Sequence, residues 1–91
     1  MKRDTKTVLR NLNEGYSVTI TWPVPCKDWY YNDVIETISK IGRNQYKLEA
    51  INVAAEIVWK IVTRKQLIEK LERINFKLFY LEKGNKAFNP Y

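Results

Sequence analysis

Residues 16–22, Tyr-Ser-Val-Thr-Ile-Thr-Trp, alternate strictly: Tyr16, Val18, Ile20 and Trp22 on one side, Ser17, Thr19 and Thr21 on the other. A period of two, filled with β-branched and aromatic residues, predicts a strand with one buried and one wet face. Before it, Val8, Leu9 and Leu12 form an apolar stripe over residues 5–14, with Thr5 as a candidate cap and Gly15 at the stop position. That spacing predicts a short helix, which must dock on something to persist. After it, Pro23-Val24-Pro25 reads as a rigid connector that ends the strand, since neither proline can donate to a ladder.

Trp29, Tyr30, Val34, Ile38 and Ile41 then fall at helical spacing, with Asp28 or Asn32 able to cap and Gly42 to stop. Residues 46–62 admit two readings. As strands, 46–51 and 56–62 form a hairpin, supported by many β-branched residues but joined by a turn with no glycine. As a helix, Leu48, Ile51, Ala55, Val58 and Val62 keep an apolar spacing of three and four. Thr63-Arg64-Lys65-Gln66 is a capping box opening a helix with Leu67, Ile68, Leu71 and Ile74 inward and Asn75 at the exit. Residues 76–82 predict a last strand, with Phe76, Leu78 and Tyr80 on one face and Lys77, Phe79 and Leu81 on the other.

With the hairpin, the order is a short N-terminal helix followed by β-α-β-β-α-β. That predicts an α+β domain with a ferredoxin-like two-layer sandwich, spanning residues 1–83, and a loose tail over 84–91. If 46–62 is helical, the domain is mostly helical instead. Ninety-one residues suffice for one domain only.

Composition narrows function more than fold. No apolar run reaches the roughly 20 residues of a membrane helix, and the basic N-terminus is not followed by the apolar stretch of a secretory signal. With a single cysteine, Cys26, there is no internal disulfide; together these predict a cytoplasmic protein that does not enter a membrane. There is no histidine, so the usual neutral-pH general base and commonest metal ligand are missing. Asp28, Asp33 and Glu36 form the one acidic cluster, which is better read as first-turn acids on a helix than as a Mg²⁺ site of a nuclease. Three scattered glycines make no phosphate loop. The expectation is a non-enzymatic protein without cofactor or metal.

A net charge of +6 favours anionic partners, nucleic acid or an acidic protein surface. Lys60, Arg64, Lys65, Lys70, Arg73 and Lys77 concentrate around the capped helix, and Arg43 and Lys47 lie near the preceding turn. These eight are the candidate nucleic-acid contacts. The alternative is a small protein-binding inhibitor or adaptor, of the kind a phage or mobile element carries. It would use an apolar patch on an uncovered sheet face, Val58, Val62, Phe79 and Leu81, with Trp29 and Tyr31 of the loop after Trp22. Pairing through that face would give a homodimer. The uncovered face is expected to carry Ser17, Thr19, Thr21, Lys47, Glu49, Val58, Lys60 and Val62, without the aromatic pattern of RNA-binding sheets.

Overall fold

The computed structural model describes residues 1–25, 31–51 and 57–82. Its elements are helix α1 (Arg3–Asn13), strands β1 (Ser17–Pro25), β2 (Tyr31–Gly42), β3 (Gln45–Ile51) and β4 (Ile57–Val62), helix α2 (Arg64–Arg73) and strand β5 (Lys77–Glu82). The strands form one five-stranded sheet in the order β4-β3-β2-β1-β5, antiparallel throughout. The domain is therefore α+β, as expected, but its path is not the ferredoxin-like alternation. Four strands run as a meander, and α2 then carries the chain from the β4 edge to the β5 edge.

The difference comes from β2, where a helix is expected from Trp29 to Ile41. Val34, Ile38 and Ile41 satisfy a helical period, but the same segment also alternates. Val34, Glu36 and Ile38 fall on one face, and Ile35, Thr37 and Ser39 on the other, as their partners in β1 show. Glu36 on the buried face hid that alternation. The hairpin reading of residues 46–62 holds, with Tyr46 opposite Val62 and Ile51 opposite Ile57; its turn lies outside the described residues. The prolines do not stop β1, because pairing with β5 ends at Thr21 while pairing with β2 continues to Pro25. Past Thr21 one edge of the strand has no ladder to serve, which is where proline is tolerated.

Both helices pack on one face. Val18 of β1, Ile38 of β2 and Leu48 of β3 lie side by side in the ladder. With Ile20 and Tyr46 they meet Val8, Leu9 and Leu12 of α1, Leu67 and Leu71 of α2, and Phe76. Leu12, Leu67 and Leu71 are fully enclosed, and burial of each is worth about 2–3 kcal/mol. Gly15 turns the chain from α1 into β1 at φ +94°. There the Gly15 N–H donates to the Leu12 carbonyl and the Tyr16 N–H to that of Asn11, a left-handed helix exit. Thr5 is not a cap: it sits inside α1 and its hydroxyl donates to Glu72 Oε2 of α2 at 2.6 Å. At α2 the capping box forms as read, with Thr63 Oγ1 accepting from the Gln66 N–H and Gln66 Oε1 from the Thr63 N–H. The helix leaves through its C-cap Ile74, which is in extended conformation and donates its N–H to the Lys70 carbonyl. No helix among the described residues is long and apolar enough to cross a membrane.

Candidate nucleic-acid interface

The capping box fixes where α2 begins, directly after β4, and its apolar pair Leu67 and Leu71 fixes its rotation. Gln66, Glu69, Lys70 and Arg73 then share one flank of the helix. That flank and the β3–β4 edge form a groove of about 230 Å³ lined by Leu48, Lys60, Val62, Gln66, Glu69, Lys70 and Arg73. At the start of the helix the Arg64 N–H donates to Asn44 Oδ1 at 3.0 Å. This bond holds the β2–β3 turn, with Arg43 next to Asn44, against the exposed Arg64 and Lys65. Six of the eight candidate cations thus lie on the helix side or at its end.

Their charges are not equivalent. Lys70 reaches down to Glu36 of β2, its Nζ donating to Oε2 at 2.9 Å and lying 2.7 Å from Oε1. Glu36 is 7% exposed and Lys70 17%, and the ammonium also stands 5.0 Å from the centre of the Trp22 ring. A carboxylate placed among Val18, Ile20 and Ile38 needs such a partner. Lys70 therefore neutralises a core acid, and the groove keeps Lys60 and Arg73 as its exposed cations, with Glu69 beside them. The remaining two candidates lie elsewhere. Lys47 and Lys77 pair with Ser39 and Thr21, on the face away from the helices.

On that second face short hydroxyls pair across β1 and β2, and Ser17, Thr19 and Ser39 are buried there, where the alternation of residues 16–22 predicts a wet face. Ser17 and Ser39 hydroxyls meet at 3.2 Å and those of Thr19 and Thr37 at 3.1 Å. Longer side chains rise on the β3–β4 side: Lys47, Glu49, Trp59 and Ile61, with Lys47 Nζ 5.7 Å from the centre of the Trp59 ring. Val58, Lys60 and Val62, expected here, are on the helix side, because β4 pairs Val58 with Ala50, Lys60 with Leu48 and Val62 with Tyr46. Leu81 also moves to the helix side. The β1–β5 register slips between Thr19 and Ile20, so Leu78 pairs with Ile20 and Leu81 with Val18. An extra residue of this kind re-aims every side chain beyond it. Among the described side chains, the large apolar ones that the second face exposes are Ile35, Trp59 and Ile61, at 47%, 58% and 49%. Trp59 was legible in the alternation of 57–62, since it is out of phase with Val58. Trp29 lies outside the described residues, as do the side chains of Tyr31 and Phe79.

Of the acidic cluster, Asp28 and the Asp33 side chain lie outside the described residues, and Glu36 is engaged with Lys70. No group of three potential metal ligands gathers among the described residues. Glu72 is held below the ordinary carboxylate range, first by the Thr5 hydroxyl and then by the Lys2 backbone N–H. No protein-family model matches this chain, and neither a curated protein nor a solved structure matches it.

Proposed function

We propose that this chain is a non-enzymatic nucleic-acid-binding domain that holds the phosphate backbone along α2. The observation that carries the reading is the groove between α2 and β4, where Lys60 and Arg73 stand exposed on either wall. Arg64, Lys65 and Arg43 extend the same basic strip around the start of the helix. Exposed cations along a path suit phosphates, whose contacts give affinity without base readout. Lys70 supports the strip structurally rather than by contact.

Fluorescence anisotropy with labelled single- and double-stranded DNA and RNA tests this at low and moderate salt. The logarithm of the affinity should fall linearly with the logarithm of the salt concentration. Lys60→Gln and Arg73→Gln should each lower that slope by about 0.7–0.9, one phosphate's worth of counterions. Absence of binding to all four probes at low salt overturns the proposal. So does a double variant that binds as tightly as the parent.

A further inference from the structure

The outer edge of β4 has no partner among the described strands: β3 alone pairs with it. Its sequence, Ile-Val-Trp-Lys-Ile-Val, has one charge, and its ladder to β3 runs without a bulge. Val58 is 51% exposed on one side of the strand, and Trp59 and Ile61 are 58% and 49% exposed on the other. Sheet edges are normally guarded by bulges, charges or short length. β5, at the opposite edge, carries a bulge and the end charges Lys77 and Glu82; β4 has only Lys60. We infer that β4 pairs antiparallel with β4 of a second copy about a two-fold axis, joining two five-stranded sheets into one.

Charge and register select a second copy as the occupant. The axis must pass through a residue's own position, so that each side chain meets one on its own face of the sheet. Centred on Trp59, the pairing sets the two indoles against each other. Ile61 then faces position 57 of the second copy, and Lys60 faces its Val58. Centred on Lys60, it sets two ammonium groups directly opposite, which is unfavourable. Flanking Trp59 on β3 are Lys47 and Glu49, of opposite charge, so that face does not repel its own image. The inference does not depend on nucleic-acid binding. The two basic grooves would lie on either side of the axis, so their repulsion weakens the dimer and salt strengthens it.

Sedimentation velocity of the nuclease-treated full chain, at low and high salt, provides the test. The expected result is a monomer–dimer equilibrium that tightens as salt rises. Trp59→Glu should weaken the dimer by at least about tenfold, since it removes the central aromatic and opposes two carboxylates. Its far-ultraviolet circular dichroism should be unchanged, because Trp59 is exposed. Val58→Glu should tighten the dimer by about fivefold, placing a carboxylate opposite each Lys60 across the axis. A wild-type chain that stays monomeric at high concentration and high salt overturns the inference. So does a folded Trp59→Glu chain that still dimerises, a Val58→Glu chain that dimerises less, or association that salt or nuclease abolishes.

Discussion

Removing the ammonium of Lys70 tests the arrangement that links α2 to the sheet. Lys70→Met keeps the apolar stem and volume but leaves the Glu36 carboxylate at 7% exposure with no cation. Breaking a buried pair from one side costs about 3–5 kcal/mol. Because Lys70 itself is 17% exposed, some water can follow the deletion, and about 3 kcal/mol is the expected loss. In a domain of this size that lowers the melting temperature by about 12–24 °C and the urea midpoint by about 1–3 M. Glu36→Gln should cost less, about 1 kcal/mol, because the lysine stem can carry its charge to solvent while the strand cannot carry the carboxylate there. The double variant Glu36→Gln/Lys70→Met should recover most of the loss, since no charge remains to be desolvated. Urea titrations of the four chains, followed by tryptophan fluorescence and circular dichroism, measure the cycle. If Lys70→Met costs under about 1 kcal/mol, or the double variant is no more stable than Lys70→Met, the carboxylate does not depend on this partner and the reasoning fails.

Thr63→Ala removes the hydroxyl that accepts from the Gln66 N–H and should lower stability by about 1 kcal/mol in the same assay. Gly15→Ala should cost about 1–2 kcal/mol through backbone strain alone, because φ is +94° and nothing lies within 4 Å of the added carbon; Gly15→Asn should recover part of that, and equal losses for the two would contradict it. Glu72, whose pKa is lowered in the folded state by Thr5 and the Lys2 N–H, adds stability that is complete above its unfolded value of 4.5 and is lost as pH falls through the lower folded value. Urea midpoints of the parent and Glu72→Gln should therefore differ near neutrality and converge as pH falls below the lowered folded value.

How far the chain could be read from its residues depended on whether one period dominated locally. Residues 16–22 offer only a period of two, and β1 formed there. Thr63 to Gln66 carry a complete cap, and α2 starts at Arg64. In residues 31–42 two periods coincide, and the choice between them was made elsewhere in the chain. β1 and β3 both needed a neighbour, and Lys70, more than thirty residues away, made Glu36 tolerable between them. The β1–β5 slip is likewise a property of the pair of strands, not of residues 77–82 alone. Local spacing therefore could not place Leu81.

The same logic separates the candidate cations. In the sequence Lys60, Lys70 and Arg73 are alike, and the packing of α2 beside β4 brings all three to one groove. Only the contact with Glu36 shows that Lys70 is already committed, so equal substitutions should have unequal consequences. Lys70→Met should act on stability and leave the salt slope of nucleic-acid binding nearly intact. Lys60→Gln and Arg73→Gln, on exposed side chains, should do the reverse. A chain that uses α2 for phosphate contact must show this crossing of effects. If the slope instead drops by a full phosphate with Lys70→Met, measured where the variant is still folded, the ammonium leaves Glu36 on binding. The carboxylate beneath the helix would then be a latch that the ligand opens, and Glu36→Gln would tighten binding.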